Sequence, residues 1–172
     1  IKPDYAEAFF NQGVIQQELN MLEKAIESFK KTIEILPKNP GAYNNLGIIY
    51  RNLGQIDNAI ESFEWAVAYK RDFAEAHNGL GACFQDIDQL DKAIECYLNA
   101  LKFMPDYAQT LNNLGTAYNE LGRVDKAINS YEQAIKIEPD FASAHYNLVA
   151  LKKFKSNDSQ IQQINDLLES KK

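Results

Sequence analysis

The sequence predicts an all-α protein, an α-solenoid built from successive helix-turn-helix repeats. The first observation is a period of 34 residues, which is typical of a stacked supersecondary unit. The second is the spacing of apolar residues inside each period, which fits two amphipathic helices. The third is a set of columns that hold one residue type in four successive periods. These are Gly13, Gly47, Gly81 and Gly115, then Ala25, Ala59, Ala93 and Ala127, then Phe29, Phe63, Tyr97 and Tyr131.

The first helix of each repeat is clearest in the fourth period. Leu111, Leu114, Ala117 and Tyr118 recur at i, i+3, i+6 and i+7, which places them on one helical face. Each first helix is expected to end at a column whose residues tolerate a left-handed backbone. The members of that column are Asn20, Gly54, Asp88 and Gly122.

The starts of the first helices carry two kinds of signal. In three repeats an aspartate is followed three residues later by Glu or Gln, which is a capping-box pattern. In another repeat Pro40 suits the first turn of a helix, where its missing N–H group is not needed. The three capping-box pairs are Asp4 and Glu7, Asp72 and Glu75, and Asp106 and Gln109.

The second helix of the fourth repeat is predicted to start near Asp125 and to end before Pro139, because proline disfavours helical geometry in the preceding residue. The glycine column on the first helix is predicted to face the alanine column on the second, so that the two backbones approach closely. The aromatic column is then expected to fill the space toward the next repeat. Neighbouring repeats must stack, since one helix pair cannot bury its apolar face alone.

Composition limits the classes of partner. The formal net charge is −6, and phosphate binding needs clustered Lys and Arg, so neither a nucleic acid nor an anionic membrane is a favoured partner. No run of 18 apolar residues predicts a membrane-spanning helix. Cys83 is expected in the core and Cys96 at a half-exposed site. Two free thiols are too few for a disulfide framework and favour a reducing compartment such as the cytoplasm.

The columns resemble the tetratricopeptide repeat (TPR). That family's order of a bulky residue, Leu-Gly, Tyr, Ala, an aromatic residue and Ala is matched at Tyr43, Leu46, Gly47, Tyr50, Ala59, Phe63 and Ala66. The resemblance implies a right-handed superhelix whose first helices line a concave groove that holds an extended peptide. Residues 1–172 are predicted to form a single array. Its repeats are expected at about 6–39, 40–73, 74–107 and 108–141, with a degenerate repeat at 142–157.

Both ends of the chain are predicted to differ from the repeats. Ile1–Asp4 match Ile137–Asp140 at the end of a repeat, which predicts a fragment of a longer protein. A helix at about 158–170 is expected to cap the stack with one apolar stripe. That stripe consists of Ile161, Ile164, Leu167 and Leu168. The junction between His145 and Leu168 also resembles the segment that follows the repeats in bacterial TPR–sulfotransferase fusions.

Asparagine dominates two adjacent columns of the first helices, and on the family geometry both columns face the groove. A carboxamide offers a donor and an acceptor, so it can pair with a peptide backbone of any sequence. The ladder resembles the one in the repeats of O-GlcNAc transferases, although asparagine could also simply be common at this position of the repeat. The predicted peptide-binding residues are Asn11, Asn45, Asn113 and Asn147, then Asn44, Asn78 and Asn112, with Tyr43, Arg51 and His77 supplying partner specificity.

No catalytic, cofactor or metal site is predicted. His77 and His145 lie two repeats apart, too far to share a metal ion, and neither has a nucleophile placed beside it. The sequence therefore predicts a non-enzymatic scaffold that binds another protein as an extended peptide or a partner helix. Two alternatives stay open. One is the substrate-recruiting arm of a glycosyl or sulfuryl transferase whose catalytic domain lies outside this chain, and the other is self-association end to end.

Overall fold

The computed structural model describes residues 3–153, with side chains from Tyr5 onward. Within that range the chain is α-helix joined by short turns, and no β-strand occurs there. A ninth helix begins at 142 and is described as far as 153. The preceding eight are α1 (Pro3–Glu18), α2 (Leu22–Ile35), α3 (Pro40–Asn52), α4 (Ile56–Tyr69), α5 (Ala74–Asp86), α6 (Leu90–Phe103), α7 (Ala108–Glu120) and α8 (Val124–Ile137). The predicted all-α helical-repeat solenoid is confirmed.

The helices pack in pairs along the chain. Each first helix (α1, α3, α5 and α7) contacts the second helix that follows it (α2, α4, α6 and α8). The described residues fall into two compact units, unit 1 with residues 3–105 and unit 2 with residues 106–153. In unit 1, α1 also contacts α3, and α3 contacts α5, so first helices lie side by side. In unit 2, Tyr131 of α8 packs against Leu151 of the ninth helix.

The predicted stop column ends every first helix as expected. Asn20 and Asp88 have φ angles of 57° and 59°, and Gly54 and Gly122 have angles of 71° and 68°. Each left-handed residue lets the next N–H group reach back five residues, as from Met21 to the Gln16 carbonyl at 2.8 Å. This bond satisfies a carbonyl that the helix end would leave unpaired. The column therefore fixes the turn between the two helices of a repeat.

The predicted capping boxes are wrong for α5 and α7. Both helices begin two residues after the aspartate, with Phe73 and Tyr107 at the N-cap, and neither has a side-chain capping bond. Phe73 packs against the buried cluster of unit 1, so burial of an aromatic ring outweighs a solvent-exposed aspartate cap. The prediction for α3 is confirmed, because Pro40 is its first residue and the Asn39 side chain accepts from the Ala42 N–H at 2.9 Å.

The glycine and alanine columns mark close helix approach, as predicted, but the partner of the glycines differs. The four alanines, Ala25, Ala59, Ala93 and Ala127, are all fully buried. A Cβ added at Gly47 would lie 2.8 Å from the ring of Phe63, and the other three glycines of the column meet the aromatic residue of their own repeat in the same way. The aromatic ring therefore packs against the glycine of its own repeat. In unit 1 it also packs toward the next repeat, as predicted, since Phe29 clusters with Leu46 and Phe63 clusters with Leu80.

The two cysteines share one environment. Cys83 is fully buried, as predicted, but the prediction of a half-exposed Cys96 is wrong, since that residue is 8% exposed and belongs to the same core cluster. Its column also holds Ser28, Ser62 and Ser130, and all three are buried with it. A small polar residue in this column therefore indicates tight helix packing. The predicted capping helix at 158–170, with Ile161, Ile164, Leu167 and Leu168, lies outside the described residues.

Candidate functional site

The asparagines of unit 1 lie in different environments. Asn11 on α1 is exposed and Asn45 on α3 is half-buried, and neither has a hydrogen-bond partner among the described residues. Asn44, next to Asn45, is only 7% exposed, and its Oδ1 atom is buried without a partner. Asn78 on α5 is half-buried and does interact with a neighbour. Unit 1 therefore holds two free carboxamides and one buried oxygen that has no hydrogen-bond partner.

The asparagines of unit 2 are held in internal hydrogen bonds. Asn147 Nδ2, on the ninth helix, donates to Asn112 Oδ1, on α7, at 3.1 Å. Asn112 is 7% exposed, so this bond satisfies an oxygen that water reaches poorly. Asn113 Oδ1 accepts from Gln109 Nε2 one turn earlier at 2.9 Å. Asn147 and Asn112 thus join the ninth helix to α7, while Asn113 is bonded within α7.

The link between neighbouring first helices has a spacing of 35 residues. Asn112 and Asn147 are separated by this distance, one residue more than the period, and so are Arg51 and Asp86. Arg51 Nε lies 2.7 Å from Asp86 Oδ2, and its Nη2 lies 3.2 Å from Oδ1, so the guanidinium joins α3 to α5. Comparing each first-helix residue with the one 35 positions later would have shown both pairs from the sequence.

The same spacing explains the unsatisfied Asn44. The residue 35 positions after Asn44 is Gly79, which has no side chain to supply a donor. A Cβ added at Gly79 would lie 2.5 Å from Cε1 of Phe63, whose side chain is 1% exposed. The ring of Phe63 therefore lies between Gly47 and Gly79 and occupies the volume that an asparagine at 79 would need.

Tyr43 lies against α4, and the sequence did not reveal the residue that meets it. Its ring centroid is 6.2 Å from that of Trp65 and 5.7 Å from that of Tyr69, and Trp65 and Tyr69 are stacked at 5.6 Å. Trp65 is the only tryptophan of the chain and is 44% exposed. A pocket of about 290 Å³ opens beside this cluster, between α2, α3 and α4. The exposed tryptophan was the available signal.

The two histidines make equivalent local contacts two repeats apart. Nε2 of His77 lies 3.0 Å from the Arg71 carbonyl, and Nε2 of His145 lies 2.7 Å from the Pro139 carbonyl. A carbonyl only accepts, so Nε2 carries the proton in both rings. His77 also stacks on Phe103 of α6, with ring centroids 5.7 Å apart. Each histidine thus ties the start of a first helix to the turn before it.

Titratable groups in unit 1 give no sign of a reactive centre. Burial raises the pKa of Cys83 and of Cys96 to about 12, so both thiols stay protonated near neutral pH. Among residues 3–153, no group of three His, Cys, Asp or Glu side chains is arranged to hold a metal ion. No helix in that range is long and apolar enough to cross a membrane.

Paired helices at a fixed period, with repeated side chains on one set of helices, define a helical-repeat interaction scaffold. Tetratricopeptide repeat profiles match residues 6–39, 28–61 and 72–139, and a TPR repeat profile matches residues 47–88. The chain belongs to the tetratricopeptide repeat family, and the family predicted from the columns is confirmed. No curated protein sequence is significantly similar to it.

Several solved structures share the fold. A crystal structure of MamA is 30% identical over 91% of this chain and 92% of that one, with a TM-score of 0.77. MamA from Desulfovibrio magneticus RS-1 is 20% identical, covers 96% and 94%, and has a TM-score of 0.80. Pseudomonas aeruginosa pilF is 19% identical, covers 95% and 75%, and has a TM-score of 0.83. The last two show the fold alone. Scaffolds of this kind are typically non-catalytic and act through protein partners.

Proposed function

We propose that unit 1 binds an extended peptide of a partner protein along α1, α3 and α5, with Asn11 and Asn45 pairing to its backbone. The observation that carries the proposal is the free state of these two carboxamides, one of them exposed and one half-buried. Polar groups with no internal partner are available to a ligand, whereas in unit 2 Asn147 already donates to Asn112.

The spacing of the first helices suits this mode of binding. Packed helices lie about 8–10 Å apart, and an extended chain rises about 3.3 Å per residue. Asn11 and Asn45 are 34 residues apart and sit on contacting helices, so they would meet the peptide about every third residue. A carboxamide can donate to a carbonyl and accept from an N–H group at each point. The contacts would be to the backbone and would carry little sequence preference.

Sequence preference would then come from charged or aromatic neighbours. Arg51 contacts Asp86 through Nε and Nη2, so its Nη1 group remains for an acidic or carbonyl group of the ligand. Tyr43 and His77 are packed against rings of the second helices, and Nε2 of His77 already bonds to the Arg71 carbonyl. We therefore assign the first specificity contact to Arg51.

The test is a titration of a peptide that the chain itself selects. The chain is used as bait, the captured partner is cut to its minimal binding segment, and that peptide is titrated by calorimetry. Asn11→Ala with Asn45→Ala should weaken binding about tenfold, since each net hydrogen bond contributes about 0.5–1.5 kcal/mol. Asn99→Ala with Asn129→Ala, on second helices away from the proposed peptide, is the control. Equal affinity of the folded Asn11/Asn45 variant would contradict the proposal. The recruiting-arm alternative stays a prediction that the sequence of the full gene tests.

A further inference from the structure

The second helix of repeat two differs in charge from the other second helices. α4 carries Asp57, Glu61 and Glu64 and no Lys or Arg. The other three balance their charges, with three acidic and three basic residues in α2 and two of each in α6 and α8. α4 also holds the exposed Trp65. It is therefore the one described second helix with an acidic surface and a large exposed ring.

Repeats three and four cover an aromatic ring of the first helix with a lysine from the second helix. The Lys92 ammonium lies 5.2 Å from the ring centroid of Phe84, and that of Lys126 lies 5.4 Å from the centroid of Tyr118. Both are within the range of a cation–π contact. The 34-residue register places Tyr50 in the ring position of repeat two, but the residue at the lysine position is Asn58. Among residues 5–153, no lysine or arginine side chain therefore lies over the ring of Tyr50.

A second position shows the same substitution. In repeat one Lys31 lies 5.2 Å from the ring centroid of Phe9. The register places Tyr43 and Trp65 at those two positions in repeat two, so a ring replaces the ammonium group there as well. Repeat two therefore has no lysine at two sites where a sister repeat places one over a ring.

Both substitutions border the pocket of about 290 Å³ between α2, α3 and α4. Tyr43, Leu46, Tyr50 and Trp65 supply its apolar walls, and Asn58 and Glu61 lie among its polar lining. The Glu61 carboxylate is close enough to Tyr43 to help raise the pKa of that phenol, after burial and Tyr69. Lys30 lines the pocket too, but its ammonium lies over no ring of the described residues. Aromatic faces beside a carboxylate are a favourable environment for a cation.

We propose that this pocket receives the side chain of a lysine or arginine from a partner protein. The guest cation would lie over the ring of Tyr50, as Lys92 lies over Phe84 and Lys126 over Tyr118 in the sister repeats. Its charge would pair with Glu61. Its alkyl stem would pack between Leu46 and Trp65. The pocket lies between helices that include α2 and α4, so the inference does not depend on peptide binding along the first helices.

Trp65 gives a direct readout because it is the only tryptophan of the chain. The probe is a capped Gly-Lys-Gly peptide, titrated against the whole chain while tryptophan fluorescence is recorded. We expect a saturable change with a dissociation constant in the range of about 1–10 mM, as for a single weak contact. The same peptide with norleucine in place of lysine should give no saturable change. The change should weaken with added salt, because Glu61 is exposed.

The decisive variant is Asn58→Lys, which supplies the missing internal cation. The variant should fold normally, since Asn58 is exposed. Its affinity for the lysine peptide should be lower by about tenfold or more. Asn129→Lys on α8 adds the same charge outside the pocket and should leave the affinity unchanged. Lys30→Met should strengthen binding. The proposal is overturned if the lysine and norleucine peptides behave alike, or if Asn58→Lys and Asn129→Lys give the same affinity.

Discussion

The junction between α3 and α5 in unit 1 and the junction between α7 and the ninth helix in unit 2 share one register. In both, a residue faces the one 35 positions later. In unit 2 this register joins Asn112 to Asn147. In unit 1 it places Asn44 opposite Gly79, which leaves a buried oxygen without a donor. One residue at the facing position thus decides whether a carboxamide is used for packing or left unsatisfied.

The difference has a steric origin. The Phe63 ring lies against both Gly47 and Gly79. In unit 1 the ring therefore occupies the volume that the side chain of Asn147 occupies in unit 2. The family pattern places Phe or Tyr in this column regardless of the residue 16 positions further along the chain. Phe29 and Tyr131 occupy the same column and are followed by Asn45 and Asn147, so the ring enters this volume only where the facing residue is glycine. The comparison teaches that a residue of one repeat sets the space available to a side chain of the repeat before it.

The largest expected effect comes from removing that ring. Phe63→Ala should lower the free energy of unfolding by about 3–5 kcal/mol, because a fully packed aromatic side chain is replaced by a cavity. Urea unfolding followed by circular dichroism measures the loss. Phe103→Ala is the control, since Phe103 is 41% exposed and its loss should be much smaller. Equal losses for the two variants would show that Phe63 does not hold the α3–α5 junction.

A smaller effect tests whether the ring excludes asparagine from position 79. Gly79→Asn should destabilise unit 1 by about 1–3 kcal/mol, because its Cβ would overlap the Phe63 ring. In a Phe63→Leu background the same change should cost less stability. The smaller side chain at 63 leaves room for the new asparagine, whose N–H group can then donate to Asn44 Oδ1. The double-mutant cycle measures this coupling. Additive losses would separate the two residues and leave the absence of asparagine at 79 without a steric cause.

Most of the fold could be predicted from the sequence because the confirmed predictions rested on strong local preferences. The stop column was predictable, since few residues adopt a left-handed backbone and Asn20, Gly54, Asp88 and Gly122 are among them. The starts at Asp72 and Asp106 were mispredicted because a capping box is a weak signal beside the burial of Phe73. Cys96 was judged from the polarity of its column, whereas its small size was the relevant property.

The candidate site followed from the sequence only in part. A 34-residue column shows which side chains recur, but it does not show which of them already have partners. Asn45 and Asn147 share a column, and only Asn147 is bonded. That outcome depends on the residue 35 positions earlier, which is Asn112 for Asn147 and Phe10 for Asn45. The pocket beside Trp65 is likewise formed by three helices, so it could not be predicted from the absence of a lysine in the sequence.

Asparagine substitutions should separate stability from binding. Asn147→Ala should lower the stability of unit 2 by about 1 kcal/mol, because it leaves the buried oxygen of Asn112 without its donor. Asn45→Ala should change stability by less than about 0.5 kcal/mol, since Asn45 has no internal partner. Thermal unfolding of the two variants side by side is the measurement. If Asn45→Ala proved the more damaging, the division between packing and free carboxamides would be wrong.

The smallest effect concerns the Arg51–Asp86 pair, whose side chains are 40% and 35% exposed. Asp86→Asn and Arg51→Met should each cost less than about 1 kcal/mol of stability, and the loss should shrink at high salt. The two substitutions should have opposite effects on the affinity for a peptide that carries an acidic residue. Asp86→Asn removes the negative charge that competes with the ligand for Arg51 and should tighten binding, while Arg51→Met removes the cation and should weaken it. Calorimetry at low salt measures both. Parallel changes in affinity would mean that the pair only joins α3 to α5, and that Arg51 makes no contact with the ligand.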